Sequence, residues 1–329
     1  MKALYCLSAT RFDDIYGPEE RAALARRVEI PDSPLTPETY EASTHTWPEV
    51  EAIFSGWGMV RADNAFLQRF PRLKIVFYGA GSIRNFVTEA FWDAGLRVTT
   101  AAAANAVPVA EFTVSQIIYA LKQGWRQVRA IRRQRCWLPP LRSPGAYRST
   151  VALLSLGTIG RMVAQRLQSY DLRVIAYDPH VSEDTADRIG VRLVSLEEAF
   201  AQANVVSCHI PLLAETEGII RKHHFSSMKP NAAFINTARG AVIDEDELIS
   251  VLKKRSDLTA VLDVTRLEPL PETSALYRLE NVVLTPHIAG SIGPECRRMG
   301  RAMIEELDLF LADKPLRHEI TRSKAPHLA

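Results

Sequence analysis

Residues 150–160 read TVALLSLGTIG, an apolar run that leads into a turn with two glycines three residues apart. Gly157 would let the backbone approach a pyrophosphate closely, and Gly160 would permit close packing of a following helix against the strand. The amino end of that helix would offer free N–H groups and partial positive charge to phosphates. Ser155 replaces the first glycine of the usual fingerprint, so this turn alone is weak evidence for a dinucleotide site.

The second half of a dinucleotide signature ends the next apolar run. LRVIAYD (172–178) closes on Asp178, 18 residues after Gly160. A carboxylate at this position accepts hydrogen bonds from the adenosine ribose and repels a 2′-phosphate. Asp178 could instead be a simple turn residue before Pro179. Together with the glycine turn, it predicts an NAD site, with NADH preferred over NADPH.

Apolar runs and helical stretches alternate on both sides of this segment, which favours a parallel α/β architecture. Val-, Ile- and Leu-rich runs continue to about residue 290 and are typical of strands covered on both faces. One long, buried helix is predicted from about 107 to 133, with Pro108 near its first turn. The segment 31–37, with three prolines, is predicted to be a loop, and the tail after about 312 shows no periodicity.

Composition restricts the class of protein. The chain has 329 residues, enough for two domains, and is 47% hydrophobic and 24% charged, as expected for a globular protein. Its formal net charge of +2 gives no general argument for nucleic-acid binding. We find neither a secretory signal nor an apolar run long enough to span a membrane, and we expect a cytoplasmic protein that contacts no membrane. The four cysteines show no C-x-x-C spacing, and we expect free thiols and no metal site.

The segment GWRQVRAIRRQRCW (124–137) is strongly basic. Such a helix could contact phosphates of a nucleic acid. It could also be a positively charged helix end that is solvated or lies at a subunit interface. The balanced total charge favours the second interpretation, and we predict no nucleic-acid partner.

Unusual polar residues follow three further predicted strands. Arg239 follows FINTA, Asp263 and Glu268 follow LTAVL, and His287 follows NVVLTP. Each could be an ordinary loop residue. The carboxyl ends of strands form the ligand crevice of an open α/β sheet, so their joint placement there indicates a site.

This set of residues suits hydride transfer to a carbonyl group. Histidine can supply the proton that the carbonyl oxygen gains, because it titrates near neutral pH. A neighbouring carboxylate orients the ring and favours its charged form. An arginine can hold a substrate carboxylate with a forked pair of hydrogen bonds. Beside NAD, the set predicts reduction of a 2-keto acid or oxidation of a 2-hydroxy acid.

Over nearly its whole length, the chain resembles the D-isomer-specific 2-hydroxyacid dehydrogenase family. Within that family it is similar to glyoxylate and hydroxypyruvate reductases. The resemblance rests on six motifs: ANAVPVAEF (104–112), LGTIG (156–160), CHIPL (208–212), NTARGAVIDEDEL (236–248), LDVTRLEPL (262–270) and TPHIAG (285–290). It implies two Rossmann-like α/β domains. A flavodoxin-like catalytic domain is discontinuous, 1–103 with 291–329, and an NAD-binding Rossmann domain, 104–290, is inserted into it.

The resemblance also implies roles for individual residues. The catalytic residues would be Arg239, Glu268 and His287. The cofactor contacts would be Gly157, Thr158, Ile159, Gly160, Asp178, Pro179, His209, Ile210, Pro211, Thr216, Thr237, Ala238, Asp263 and Gly290. The substrate contacts would be Trp57, Ala80, Gly81 and Arg239.

Departures from the family pattern bear on the substrate. Phosphoglycerate dehydrogenases usually carry Arg-Ser-(Ala/Gly)-Thr where this chain has Ser55-Gly56-Trp57-Gly58, so a phosphate anchor is lost. Glyoxylate, hydroxypyruvate or a bulkier apolar 2-keto acid is therefore favoured. Glu268 stands where formate dehydrogenases use Gln, which argues against formate.

Two further expectations follow from the resemblance. The alternative function is an NAD-sensing binding protein similar to the transcriptional corepressors on this scaffold. The family also implies a homodimer, for which the Trp125–Trp137 segment is a plausible interface.

Overall fold

The structure is a computed structural model that describes residues 1–325. The chain divides into two compact units. The first unit comprises Met1–Ala106 together with the chain from Ser291 onward, and the second unit comprises Val107–Gly290. The sequence prediction places the two boundaries at residues 103/104 and 290/291.

The described residues form strands and helices in the alternating order of an α/β protein. The strands are β1 (Lys2–Cys6), β2 (Pro34–Leu35), β3 (Val50–Ser55), β4 (Ile75–Tyr78), β5 (Arg97–Thr100), β6 (Thr150–Leu154), β7 (Arg173–Tyr177), β8 (Arg192–Leu193), β9 (Val205–Cys208), β10 (Ala233–Asn236), β11 (Thr259–Leu262), β12 (Val282–Leu284) and β13 (Glu319–Ile320). The helices are α1 (Ala9–Ile15), α2 (Pro18–Ala25), α3 (Pro37–Ala42), α4 (Asn64–Arg69), α5 (Glu89–Asp93), α6 (Ala102–Leu121), α7 (Gly124–Gln134), α8 (Thr158–Leu167), α9 (Glu183–Asp187), α10 (Leu196–Gln202), α11 (Lys222–Ser227), α12 (Glu245–Leu252) and α13 (Arg297–Leu311).

The sheet of the first unit has the order β2-β1-β3-β4-β5-β13. Its strands are parallel except β13, which pairs antiparallel with β5. The order of the first five strands is that of flavodoxin-like sheets, whose ligand crevice lies outside the carboxyl ends of the first and third strands. Ala52, Ile53 and Phe54 on β3 are fully buried, as expected for a central strand covered on both faces.

The sheet of the second unit has seven parallel strands in the order β8-β7-β6-β9-β10-β11-β12. Counted from β6, this is the 3-2-1-4-5-6 order of dinucleotide-binding domains with one more parallel strand. The strand order reverses between β6 and β9, which pair from Val151 with Val205 to Leu154 with Cys208. These two sheets confirm the predicted fold class.

The prediction of one helix from 107 to 133 is wrong. Two helices, α6 and α7, occupy this stretch, and Gln123 between them has a left-handed backbone with φ 51°. The missing Cβ of Gly124 would lie only 2.3 Å from the Tyr119 ring, so glycine allows the chain to turn closely here. Because α6 begins at Ala102, Pro108 lies inside the helix rather than in its first turn.

The tail and the proline-rich loop contain strands that periodicity did not predict. Strand β13 lies in the tail and β2 lies within 31–37. Fully buried Glu306 on α13 accepts hydrogen bonds from the backbone N–H groups of Arg317 (3.1 Å) and His318 (3.2 Å). This contact holds the tail beside β5, and a two-residue strand is too short to show a period of two.

Candidate active site

The glycine turn joins β6 to α8 as its sequence predicts. Gly160 must be glycine, because a Cβ there would lie 2.0 Å from the carbonyl oxygen of Ser155. Ser155 has a left-handed backbone with φ 80°. The glycine that usually stands at this position of the fingerprint would adopt this conformation freely. Within residues 1–325, a Cβ on Gly157 would meet only the Ser155 hydroxyl, 3.8 Å away, and no side chain caps α8. The backbone of Gly157, Thr158 and Ile159 thus leaves space and unpaired helical N–H groups for a phosphate.

Asp178 follows β7 and lies beside this turn. Its Oδ2 accepts hydrogen bonds from the backbone N–H of Leu156 (2.7 Å) and the Ser155 hydroxyl (3.3 Å). Its Oδ1 accepts one from the N–H of His180, just after Pro179, at 2.9 Å. The carboxylate is therefore fixed at the end of β7, where a dinucleotide-binding domain places its ribose acceptor.

His209 follows β9, next to β6 in the sheet. Its Nε2 lies 3.0 Å from the Ser207 hydroxyl, while its Nδ1 is buried and has no hydrogen-bond partner within residues 1–325. Burial lowers the pKa of His209 to about 4, so the ring is neutral at physiological pH. A buried polar atom without a partner is rare in a folded protein, and a bound ligand would satisfy it.

A short turn continues from His209 through Ile210 and Pro211. Ile210 is buried, and the Thr216 hydroxyl donates to the carbonyl oxygen of Pro211 at 2.5 Å. The backbone N–H of Leu213 donates to the same hydroxyl at 2.8 Å. The Thr216 hydroxyl therefore links the two ends of the 211–216 turn.

The open glycine turn, the fixed Asp178 and the unpartnered His209 nitrogen fit a dinucleotide.

The loop after β10 carries Thr237, Ala238 and Arg239. The fully buried Asn236 side chain fixes it: Oδ1 accepts from the Ala238 N–H and Nδ2 donates to the Arg239 carbonyl oxygen, both at 3.0 Å. The Thr237 hydroxyl lies 3.0 Å from the hydroxyl of Thr113 on α6, and both residues are buried. An Arg239 guanidinium N–H donates to the Ala238 carbonyl oxygen at 2.7 Å.

Glu268 and His287 form a hydrogen-bonded pair from the loops after β11 and β12. The Nδ1–H of His287 donates to Glu268 Oε2 at 2.7 Å. The Glu268 side chain is 41% exposed and the His287 side chain is 52% exposed, so the pair can exchange protons with solvent. His287 has a left-handed φ of 55°. A non-glycine residue in that conformation needs surrounding structure to hold it there.

Asp263 supplies that structure. Only 2% exposed, it accepts from the Thr285 hydroxyl (2.6 Å) and the Ile288 N–H (2.8 Å) at Oδ1 and from the Ala289 N–H (2.9 Å) at Oδ2. The backbone N–H of His287 also donates to the backbone carbonyl oxygen of Asp263 at 3.0 Å. A carboxylate has about four acceptor positions, so three are used inside the protein and one is left. Asp263 therefore holds the His287 turn, which ends at Gly290, the last residue of the second unit.

The substrate residues predicted from the sequence lie in the first unit. Trp57 follows β3, its carbonyl oxygen accepts from the Ser8 N–H at 2.9 Å, and the Arg11 guanidinium lies 5.3 Å from its ring centroid. Ala80 follows β4 and is fully buried, whereas a Cβ on Gly81 would meet nothing within 4 Å. Both segments lie at the carboxyl edge of the sheet, where ligands bind to flavodoxin-like domains.

The second unit brings together most of the predicted residues. The predicted cofactor and catalytic residues follow the carboxyl ends of β6, β7, β9, β10, β11 and β12, and the Glu268 and His287 side chains are hydrogen-bonded to each other. Sequence reasoning missed the residues that hold them, namely Thr113, Asn236 and Thr285. Asn236, the last residue of β10, and Thr285, directly after β12, could have been found as polar residues at the ends of apolar strands.

One group of three potential metal ligands occurs in residues 1–325, formed by Glu197, His223 and His224 within 4.8 Å of one another. Nδ1 of His224 accepts a hydrogen bond from the Arg221 N–H at 3.0 Å, and burial lowers the pKa of this histidine. The neutral ring thus carries its hydrogen on Nε2, the atom that faces Glu197 Oε1 at 3.8 Å. A protonated nitrogen is no metal ligand, so this geometry does not favour a metal ion.

Two observations concern larger partners. Within the described chain, no helix combines the length and apolar character that crossing a membrane requires. On the basic helix α7, Arg126 donates to Asn231 and Arg133 pairs with Glu280 at 3.2 Å. Part of its charge is therefore engaged within the protein.

A family model described as "D-isomer specific 2-hydroxyacid dehydrogenase, NAD binding domain" matches residues 114–289. A D-3-phosphoglycerate dehydrogenase of Mycobacterium tuberculosis is 31% identical over 301 residues, which cover 91% of this chain and 56% of the relative. A glyoxylate reductase of Korarchaeum cryptofilum is 31% identical over 252 residues, 75% of this chain and 76% of the relative. The chain spans about half the length of the phosphoglycerate dehydrogenases that it matches.

Solved structures share the fold. The NAD-complexed D-isomer specific 2-hydroxyacid dehydrogenase of Lactobacillus delbrueckii ssp. bulgaricus superposes with a TM-score of 0.80 at 22% identity, covering 98% of this chain and 100% of its own. A Xanthobacter autotrophicus Py2 protein of the same description, solved with NADPH, gives 0.79 at 24% identity and covers 98% and 99%.

Proposed function

The chain belongs to the D-isomer specific 2-hydroxyacid dehydrogenase family, and from this premise we propose that it transfers a hydride between NAD(H) and a 2-keto or 2-hydroxy acid. Its main direction is reduction of the keto acid to the D-hydroxy acid. The observation that carries this proposal is the 2.7 Å hydrogen bond between His287 Nδ1 and Glu268 Oε2. It fixes the imidazole with one nitrogen engaged and the other available for a proton.

In this proposal, His287 is the proton donor for reduction. Glu268 accepts from Nδ1, so the proton that moves to the substrate oxygen is held at Nε2. The neighbouring carboxylate stabilises the positive ring before transfer, and solvent reloads the half-exposed pair afterwards. Arg239 binds the substrate carboxylate and polarises the keto oxygen with its guanidinium. A bound NADH would supply the hydride to the keto carbon.

The cofactor would be held by the chain's own polar groups. The backbone at Gly157, Thr158 and Ile159 would bind the pyrophosphate, and Asp178 the adenosine ribose. The fourth acceptor position of Asp263 would receive the nicotinamide carboxamide. We assign NADH as the preferred coenzyme because the fixed Asp178 carboxylate would repel a 2′-phosphate.

The substrate assignment rests on the first unit. Gly81 would bind the substrate carboxylate through its backbone N–H, whereas the Ala80 N–H already donates to the Tyr78 carbonyl oxygen at 2.8 Å. Trp57 would form an apolar wall. We propose glyoxylate, hydroxypyruvate or a bulkier apolar 2-keto acid, because this chain lacks the arginine that would anchor a phosphate at residues 55–58. No observation favours the corepressor-like alternative.

The test is a spectrophotometric panel. The purified chain is mixed with NADH or NADPH and with a set of 2-keto acids, and loss of the reduced coenzyme is followed. We expect consumption of NADH with at least one acid and a D-hydroxy acid as product. If neither coenzyme is consumed with any acid, the enzymatic proposal is wrong.

We also propose a homodimer that forms through the basic segment. Val128 and Ile131 on α7 are partly exposed, and Trp137 is 89% exposed. Val128 and Ile131 lie about one turn apart on the same helix face, and neighbouring exposed apolar residues are typical of interaction surfaces. Light scattering should give twice the mass of the chain. Binding to DNA that weakens steeply with salt would instead support the nucleic-acid interpretation.

The compartment is proposed as the cytoplasm. All four cysteines are free, and three of them are buried. Unpaired thiols are usual in reducing compartments. Cell fractionation checks this assignment.

A further inference from the structure

The turn that carries Glu268 is closed by its own residues. The Thr265 N–H donates to Glu268 Oε1 at 3.2 Å, and the Thr265 hydroxyl donates to the Leu267 carbonyl oxygen at 2.7 Å. These bonds orient the Glu268 carboxylate relative to residues 265–268. They do not fix the turn relative to the His287 loop, so contacts from outside the turn must do so.

The first outside contact comes from Gly240, directly after Arg239. A Cβ on Gly240 would lie 2.0 Å from the carbonyl carbon and oxygen of Thr265 and 2.5 Å from the Arg266 nitrogen. Real side chains do not approach a backbone so closely, so these two loops can meet only because residue 240 is glycine. The loop of Arg239 and the turn of Glu268 therefore pack backbone against backbone.

The second outside contact comes from Glu245, the first residue of α12. Its Oε2 accepts a hydrogen bond from the Arg266 N–H at 2.9 Å. Helix α12 is itself held firmly at this end, because Asp244 caps it by accepting from the Glu247 N–H at 3.0 Å. A bond between a carboxylate and a backbone N–H is among the stronger hydrogen bonds in proteins. Glu245 thus ties the middle of the 265–268 turn to a well-anchored helix.

We propose that Glu245 is a positioning residue for the Glu268–His287 pair. By accepting from the Arg266 N–H, Glu245 holds the 265–268 turn in position. In that position, Glu268 Oε2 can accept the hydrogen bond from His287 Nδ1. This proposal rests on the proposed function for its catalytic consequence. Glu245 is not among the residues assigned to the coenzyme or the substrate, so its loss should lower turnover while NADH binding stays unchanged.

A simpler role for Glu245 makes a different prediction. Glu245, Asp246 and Glu247 all lie in the first turn of α12, where acidic side chains stabilise a helix through its dipole. Asp246 shares this position and charge but is exposed and makes no side-chain hydrogen bond among residues 1–325. A dipole role would make Asp246→Ala and Glu245→Ala equivalent, whereas positioning would not. Asp246→Ala is therefore the matched control.

The experiment compares Glu245→Ala, Glu245→Gln and Asp246→Ala with the unmodified full chain, using NADH and a 2-keto acid that the panel identifies. We expect Glu245→Ala to lower kcat by about 10- to 100-fold, the scale of a small misplacement of catalytic groups, with the NADH KM within about twofold. Glu245→Gln keeps an acceptor oxygen and should recover kcat to within about threefold of the unmodified chain. Asp246→Ala should match the unmodified chain.

Three kinetic results would overturn the proposal. They are an unchanged kcat in Glu245→Ala, an equal loss in Glu245→Gln, or an equal loss in Asp246→Ala. If the unmodified chain reduces no acid, the proposed function fails, and the positioning role is then tested by nitrogen NMR of the His287 ring. Loss of the Nδ1 hydrogen-bond signal in Glu245→Ala alone would support positioning, and an unchanged signal would refute it.

Discussion

Replacing Asp263 with asparagine should destabilise the second unit and disable the His287 turn together. The carboxylate accepts three hydrogen bonds at 2.6–2.9 Å and is 2% exposed, so water cannot replace a lost partner. Asparagine offers one acceptor oxygen and one NH₂ group. In either orientation, its NH₂ group faces a backbone N–H that has lost its acceptor.

The size of the effect follows from this count. One charge-assisted bond is lost and the remaining ones lose their charge, which together cost about 3 kcal/mol. For a domain of this size, that lowers the melting temperature by roughly 6–12 °C. Turnover should fall as well, because His287 keeps its left-handed φ of 55° only while the turn is held.

Calorimetry and steady-state kinetics on the same preparations measure both effects. Asp184→Asn is a suitable control, because Asp184 lies in the same unit on the exposed helix α9 and makes no side-chain hydrogen bond among the described residues. A melting temperature that stays within about 1 °C of that of the unmodified chain would mean a change far smaller than the expected fall of roughly 6–12 °C. That result would refute the anchoring role of Asp263.

Three further predictions use other parts of the site. Glu268→Gln should change the pH profile of turnover, because the amide cannot stabilise a charged His287 ring as a carboxylate does; an identical profile would break the proposed coupling. Asp178→Ala should raise the activity with NADPH relative to NADH, and an unchanged coenzyme ratio would remove the ribose assignment. His209 has its pKa lowered from 6.5 to about 4 by burial, so the unfolded chain binds more protons in that window and stability should fall as the pH falls through it. Replacing His209 with Gln should flatten this part of the stability curve, measured by denaturant unfolding at several pH values.

Sequence periodicity predicted the elements that bury long apolar runs. Strand β6 and the glycine turn follow from local sequence, and the steric need for Gly160 agrees with its assigned role. The family resemblance on six motifs is confirmed by the matches to known proteins. The break at Gln123 was not predictable, because it depends on Gly124 lying against the Tyr119 ring. Strand β13 likewise depends on a distant partner, the buried Glu306.

The site shows the same limit. Arg239, Glu268 and His287 stand out because each is a reactive residue after an apolar strand. Among the residues that hold them, Glu245 and Thr113 do not stand out, because each acts through a hydrogen bond to a distant segment. Asn236 binds its own loop, but Glu245 reaches a turn 21 residues away and Thr113 meets Thr237 from another helix. Such contacts exist only after the chain has folded.

The proposed reaction depends on His287 as proton donor, and replacing this residue tests that role. NADH consumption with the best 2-keto acid is compared between the unmodified chain and His287→Ala, while NADH binding is measured by fluorescence titration. We expect kcat to fall by about 100-fold or more, as removal of a general acid typically does, with NADH affinity unchanged. Turnover by His287→Ala at the rate of the unmodified chain would show that His287 is not the proton donor.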